Sequence, residues 1–557
     1  MKRKSRCSLC LLSICLVLPL SGCHVPAAGG PSETFGLDFR LPATSRANGI
    51  ILFVADGLNA ATFQDLLEAG QLPAIDKYFV KRGLYVPRAA CGHPSLTMDN
   101  LMSLVTGLFP GHHGLPAAKW FDRNRLIFRN YETLRDKNKL DEDCTAESLY
   151  QQFPGRLTFS LFLQPHRGAT YFFENRLSAG PAMAFGQYAL VDRWALYRFG
   201  QAMSIARQYG QFPAVMTVYQ LLVNFTAYEF GATSPQYRQS MREMDRQIGR
   251  VLGDLERSGM LGKVVLALVS DHGHCDTPQH GKIREYVEAL GIPLAEAKPA
   301  GEDLSFEQRL DRFGRVAGVP YGPGDRYWAL YLRKALPQGS GQILAPWLNK
   351  PSSQDLRSYP ARKTRVDLPS LLADLPYVDA TAYLAGPGRV RVVRKQGEVE
   401  FRRTTVGADA QATIGRQERI TYRLIRGADP LEWAGIVPQP ALDGEPLTSR
   451  QWLEVTARTE FPDLATGLLS YFDGALAADV VVFPAPGWDF DGWRKAGHGG
   501  IRADEVFAPM LLAGPGIPAG RIPVARTVDL TPTLLAATGT PIPEGLDGES
   551  LIGLVGR

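Results

Sequence analysis

At 557 residues the chain is long enough for a large core and more than one domain, and 45% hydrophobic with 21% charged residues is an ordinary globular balance. The formal net charge of +5 owes four positives to Lys2, Arg3, Lys4 and Arg6, which leaves +1 for the rest of the chain. That balance gives no electrostatic footprint for nucleic acid or for an acidic membrane surface.

Residues 1–22 read as a targeting segment. A basic start precedes the apolar run Cys7 to Leu20, which is too short to span a bilayer comfortably. Leu20-Ser21-Gly22-Cys23 then resembles a bacterial lipobox. The resemblance implies cleavage before Cys23 and lipid on that residue. It also implies an exported protein held at the cell envelope, and with His24 rather than Asp next, at the outer membrane. Several acyl chains on one residue would hold it stably. Residues 23–47, rich in Pro, Gly, Ala and Ser, read as a tether. Of seven cysteines, Cys91, Cys144 and Cys275 lie beyond Cys23, so at most one intramolecular disulfide forms.

Gly49 to Ala55 is a continuous apolar run suited to a strand buried on both faces, and it ends in Asp56-Gly57. A carboxylate at that end lies where open α/β sheets place their sites, although an Asx turn would look the same. In the stretch His93 to Leu115, Leu101, Met102, Leu104 and Val105 have helical spacing. Thr97 falls at the expected N-cap, with Asp99 and Asn100 in the first turn. A hydroxyl there serves either as a plain cap or at an anion site. Ala214 to Val223 reads as a strand and Pro235 to Leu255 as an amphipathic helix. Val264 to Val269 is a third buried strand, followed by Asp271-His272, an oxygen and an imidazole suited to zinc. This alternation predicts an α/β fold, with a mostly parallel central sheet and helices on both faces.

Between about residues 286 and 474 the texture changes. Leu368 to Leu375 reads as helix and Tyr377 to Leu384 as strand. Val390 to Val393 and Glu398 to Phe401 read as a hairpin, and Thr421 to Ile425 as a further strand. This section is expected to be an inserted smaller α+β region between the two parts of a core, 48–285 and 475–557. Val480 to Phe483 reads as the strand on which that core resumes, ahead of Gly497-His498-Gly499 and Leu546-Asp547-Gly548.

Thr97, Asn100, Thr106-Gly107-Leu108-Phe109-Pro110 and His113-Gly114 resemble the nucleophile segment of the nucleotide pyrophosphatase/phosphodiesterase branch of the alkaline phosphatase superfamily. Asp56-Gly57, Asp271-His272 and the C-terminal stretches are similar to the same family. The resemblance implies an alkaline-phosphatase-like fold and a metal-dependent hydrolase of phosphate esters. Thr97 would attack phosphorus to give a phospho-threonine, and Asn100 would steady the oxyanion. One zinc ion would be held by Asp56, Thr97, Asp271 and His272. A second ion in such enzymes takes an Asp, a His four residues later and a late His; here those places read Asn224, Tyr228 and His498. Asn is a weaker ligand than carboxylate and Tyr binds only as phenolate, so the second ion is expected to be weak or missing. His274, His280 and His498 are then candidate proton donors. Two other readings follow from that loss: a single-metal phospho-group transferase on envelope lipids or glycans, and a catalytically weakened binding relic.

Overall fold

The computed structural model describes residues 49–133, 135–174, 182, 185–296, 303–321, 325–338, 341–362, 364–405, 418–490 and 492–555. The expected signal segment, the lipid site Cys23 and the tether lie outside the described residues.

In chain order the strands that build the sheets are β1 (Gly49–Ala55), β2 (Gly83–Ala90), β3 (Thr158–Leu161), β4 (Tyr171–Phe173), β5 (Val215–Gln220) and β6 (Val264–Val269). They continue with β7 (Gly318–Pro320), β8 (Trp328–Leu332), β9 (Val378–Gly386), β10 (Arg389–Arg394), β11 (Gly397–Thr405), β12 (Glu418–Gly427) and β13 (Val480–Pro484). β14 (Phe507–Ala513), β15 (Gly520–Arg521) and β16 (Ala525–Arg526) complete the set. The helices used below are α1 (Ala60–Glu68), α2 (Thr97–Thr106), α3 (Tyr188–Gln208), α4 (Leu222–Phe230), α5 (Pro235–Arg257), α6 (Leu368–Ala373) and α7 (Leu530–Thr538).

The central sheet runs β15-β2-β14-β6-β1-β5-β3-β4, with β16 also on β2. β1 is parallel to both β5 and β6, and β14 enters antiparallel between β2 and β6. Strand alternation divides the core between two faces. Ile50, Leu52 and Val54 pack with Leu101, Leu104 and Val105 of α2 and Leu534 of α7. Ile51, Phe53 and Ala55 pack with Phe63 of α1, Val191 of α3 and Met241 of α5. Helices therefore cover both faces, which is why β1 reads as an unbroken apolar run. Each such fully buried Leu, Ile or Phe contributes about 1.5–3 kcal/mol.

A second, antiparallel sheet runs β7-β8-β13-β9-β10-β11-β12. One face, including Ala380, Val392 and Val481, joins the core shared with α2. The other, including Leu330, Val378 and Val482, is covered by Leu368 and Leu372 of α6. This corrects one expectation. β13 was read as the strand on which the central core resumes, but it lies inside the second sheet between β8 and β9; the chain rejoins the central sheet only at β14. A buried apolar strand has the same pattern in either sheet, so its own residues do not say which neighbours it takes.

The C-terminal stretch returns to the loop after α2. The Phe109 N–H donates to Asp547 Oδ2 at 2.7 Å, and the Asp547 and Gly548 N–H groups donate to Gly107 O at 3.1 Å. His112 lies between Asp547 (Nδ1, 2.8 Å) and Asp473 (Nε2, 3.1 Å). Burial opposes its charge, but hydrogen bonds to Asp473 and Asp547 outweigh that and raise its pKa to about 9. The unfolded value is about 6.5. Because the folded value is the higher, this stabilisation is complete below about pH 6.5 and is lost as pH rises through about 9. Urea unfolding should show a fall across that window that is about 3 kcal/mol larger in wild type than in His112→Gln; an equal fall in both proteins would refute the assignment.

The cysteines Cys91, Cys144 and Cys275 are unpaired. No helix among the described residues is long and apolar enough to cross a membrane.

Candidate active site

Parallel pairing brings the C-terminal ends of β1, β5 and β6 to one edge of the sheet. β1 delivers Asp56, β6 delivers Asp271 and His272, and β5 leads into α4, which carries Asn224 and Tyr228 one helical turn apart. The turn after Asp56 needs Gly57, whose φ is +72°. The loops are tied together across the edge. The Gly57 N–H donates to Asp271 Oδ1 at 3.3 Å, and Ser270 Oγ accepts from Leu58 N at 2.9 Å and donates to His272 O at 2.9 Å.

Thr97 is the first residue of α2, with Leu96 rather than Thr97 as the cap. Its hydroxyl is therefore not spent on the helix terminus, and Oγ1 lies 3.0 Å from His272 Nε2. The same nitrogen is 3.3 Å from Asp56 Oδ1 and 3.4 Å from Asp271 Oδ2. The structure thus brings Asp56, Thr97, Asp271 and His272 into one cluster.

Asn100 is not part of it, which corrects the oxyanion role expected of that residue. Its Oδ1 accepts the Gly92 N–H at 2.6 Å, and its Nδ2 donates to Pro94 O and Leu96 O at 2.9 Å. The amide is fully buried and spent on the loop that precedes Thr97, so it positions the threonine and has no donor left for substrate. His113 is also structural, with Nε2 against Ser103 Oγ at 3.2 Å and Asp99 O at 3.0 Å.

The donor set fits a divalent cation. Asp56 Oδ1 and Asp271 Oδ2 are buried and share a single neighbouring nitrogen, His272 Nε2, at 3.3 and 3.4 Å, an arrangement that is costly unless a cation or a proton meets them. Burial and the Asp56 charge push the Asp271 carboxyl up to about 8. Burial disfavours the His272 imidazolium, but Asp271 and Asp56 outweigh it and raise its pKa to about 9. The cluster therefore holds a proton at neutral pH unless a cation displaces it. Two carboxylate oxygens and an imidazole are a donor set that zinc accepts.

The second group of expected ligands is arranged differently. The Tyr228 hydroxyl donates to His498 Nε2 at 2.5 Å, and the Arg494 guanidinium lies over the Tyr228 ring, 3.9 Å from its centroid. Asn224 donates from Nδ2 to Asp56 Oδ2 at 3.1 Å and sets Oδ1 against His274 Nε2 at 2.5 Å. His272 and His498 stack with ring centroids 3.6 Å apart. Of the three histidines considered as proton donors, His280 is taken up by Asp489 at 2.6 Å instead.

Beside Thr97 opens a cavity of about 350 Å³, whose walls include Asp56, Phe162, Leu221, Phe225, Tyr228 and Arg494. That volume suits a small organic ligand. The sequence reading missed Tyr219, whose hydroxyl donates to Asp56 Oδ2 at 2.5 Å, and Arg494. Tyr219 is the penultimate residue of an apolar strand, and Arg494 lies in a loop with no motif around it; neither carried a signal of its own.

Residues 50–302 match the profile of the family described as type I phosphodiesterase / nucleotide pyrophosphatase. The chain is 22% identical over 306 residues to an uncharacterized pyrophosphatase/phosphodiesterase of Schizosaccharomyces pombe, covering 52% of this chain and 59% of that one. It is 25% identical over 256 residues to mouse ectonucleotide pyrophosphatase/phosphodiesterase family member 1, covering 44% and 26%. The match thus spans less than two thirds of either relative's length. The structure of murine ectonucleotide pyrophosphatase / phosphodiesterase 5 resembles this one with a TM-score of 0.51 at 13% sequence identity, over 89% of this chain and 96% of that one. An inactive variant of that murine protein, in complex with AMP, gives 0.50 at the same identity and coverage. These likenesses show the fold, an α/β alkaline-phosphatase-like architecture.

Proposed function

We propose that this chain, whose residues 50–302 match the type I phosphodiesterase / nucleotide pyrophosphatase profile, is a metal-dependent hydrolase of phosphate esters with Thr97 as nucleophile. The observation that carries this is the position of Thr97 Oγ1, 3.0 Å from His272 Nε2, the nitrogen that also lies 3.3 Å from Asp56 Oδ1 and 3.4 Å from Asp271 Oδ2. A zinc ion held by Asp56, Asp271 and His272 would supply Lewis acidity toward the threonine oxygen and the phosphoryl group.

The residues then divide the work. Asn100 fixes the loop that presents Thr97. Thr97 loses its hydroxyl proton and attacks phosphorus; the bond from phosphorus to the leaving oxygen breaks, and that oxygen takes up a proton. Water then attacks the phospho-threonine and restores the hydroxyl. Phe162, Leu221 and Phe225 give the cavity an apolar wall for the organic part of an ester, and Arg494 adds positive charge there. With the AMP complex of the murine protein, this wall supports a nucleotide or aryl phosphodiester as substrate class. The gathering of Asp56, Thr97, Asp271 and His272 supports catalysis over a retained binding fold.

The test is turnover of bis(p-nitrophenyl) phosphate by the zinc-loaded chain, with hydrolysis expected to depend on both zinc and Thr97. Absence of turnover on any aryl mono- or diester would overturn the reading. From the sequence alone we also propose export and attachment to the bacterial envelope through lipid on Cys23. Metabolic palmitate labelling should mark the wild type and miss Cys23→Ser, and equal labelling would refute it.

A further inference from the structure

Arg494 stands on the wall of the Thr97 cavity with the hydrogen bonds of its guanidinium unspent. Its main chain is pinned from two sides. Thr277 Oγ1 donates to Arg494 O at 3.1 Å, and the Lys495 N–H donates to Tyr228 O at 3.0 Å. The guanidinium lies over the Tyr228 ring, 3.9 Å from its centroid, and the side chain is 26% exposed. An aromatic face attracts the cation and leaves the N–H groups around its edge free. The approach to Asp325 Oδ1, at 3.6 Å, is too long for a hydrogen bond. Among the described residues the guanidinium of Arg494 has no acceptor at hydrogen-bond length. By contrast Arg123, Arg326, Arg394 and Arg526 donate to carbonyl or carboxylate oxygens.

Asp325 and Glu132, the acids whose charges act on Arg494, already share another cation. Lys119 Nζ lies 2.9 Å from Glu132 Oε2 and 3.3 Å from Asp325 Oδ2, and Asp325 Oδ2 also accepts from Tyr321 Oη at 3.1 Å. The charges of Lys119, Arg494, Asp325 and Glu132 cancel. What is left over is a planar fork of donors, in a cavity of about 350 Å³ that also contains Thr97. Such a fork matches two oxygens on one phosphorus. The loop before Thr97 offers those oxygens no amide in its place, because that of Asn100 is spent on Gly92, Pro94 and Leu96.

We propose that Arg494 sets the specificity of this cavity by pairing with a terminal phosphoryl group that carries two negative charges. The proposal rests on the reading of Thr97 as nucleophile and narrows its substrate class. A terminal phosphoryl loses its second proton near pH 6. It occurs as the attacked phosphorus of a monoester, or as the end of a di- or triphosphate chain. A simple diester shares one charge between its two free oxygens and gains less from the fork.

The test compares wild type with Arg494→Gln and Arg494→Lys as zinc-loaded full chains, on p-nitrophenyl phosphate, ATP and, as the singly charged reference, bis(p-nitrophenyl) phosphate. Arg494→Gln should lower kcat/KM for at least one of the first two by about 30-fold or more beyond its effect on the diester. A loss on p-nitrophenyl phosphate assigns the paired group to the attacked phosphorus; a loss on ATP alone assigns it to a neighbouring phosphoryl. Arg494→Lys keeps the charge without the fork and should fall in between. AMP and ADP titrated calorimetrically into zinc-loaded Thr97→Ala read the same pairing without turnover. Adding Arg494→Gln should raise the Kd of at least one of them by about tenfold or more. If no ester is turned over but nucleotide binding still depends on Arg494, the Thr97 chemistry falls and the phosphoryl subsite stands. Arg494→Gln forfeits no hydrogen bond to the protein, so its Tm should match wild type. The proposal is overturned if Arg494→Gln changes all three rates by the same factor, or if it leaves the Kd of both nucleotides where it was.

Discussion

Thr97→Ala is expected to lower kcat for aryl phosphodiester hydrolysis by about a thousandfold or more, while Thr97→Ser stays within about a hundredfold of wild type. Alanine removes the attacking oxygen, and no other hydroxyl is available at that point. The hydroxyl of Tyr219 donates to Asp56, and that of Tyr228 donates to His498. Serine keeps the oxygen and loses only a methyl group. Neither change should cost much stability, because Leu96 and not Thr97 occupies the cap and Thr97 is only half-buried. Zinc content and circular dichroism should therefore match wild type in both variants, so that the loss is read as chemistry. Equal rates for Thr97→Ala and wild type would remove Thr97 from the reaction.

The second large effect is a change of sign. Asp271 is buried beside Asp56, and burial with that neighbouring charge raises its pKa to about 8. Two such carboxylates repel each other without a cation and hold one tightly. Asp271→Asn is nearly isosteric and keeps an oxygen for the Gly57 N–H. The metal-stripped variant should melt no lower than metal-stripped wild type. Zinc at a thousandfold excess over its Kd should stabilise wild type by about 4 kcal/mol, and should stabilise the variant much less at the same concentration. Hydrolysis should be lost with the ion. Equal zinc-induced shifts in Tm for the two proteins would show that Asp271 is not a ligand.

Much of this site could be read from the sequence, because its main parts sit at the ends of strong local patterns. An unbroken apolar run ending in Asp56-Gly57, and another ending in Ser270-Asp271-His272, announce buried parallel strands with polar groups at their C-terminal ends. Parallel pairing then brings those ends together without further information. What could not be read depends on side-chain direction. Asn100 lies one helical turn after Thr97, and nothing local distinguishes an amide aimed at substrate from one turned back on Gly92 and Leu96. His274 is two residues past His272 on an irregular loop, where no periodicity says which way a ring faces. Tyr219 reaches Asp56 from a neighbouring strand, a contact set by register. The sheet that β13 joins was hidden for the same reason, since pairing is decided by distant segments.

The account depends on one cation shared by Asp56, Thr97, Asp271 and His272. Crystals of the zinc-loaded protein, with diffraction recorded on both sides of the zinc absorption edge, test that most directly. The result expected is an anomalous peak about 2.0–2.2 Å from an oxygen of Asp56, an oxygen of Asp271 and Nε2 of His272, with Thr97 Oγ1 within reach of it. An anomalous map with no peak among these four side chains, in crystals shown to contain zinc, would contradict it.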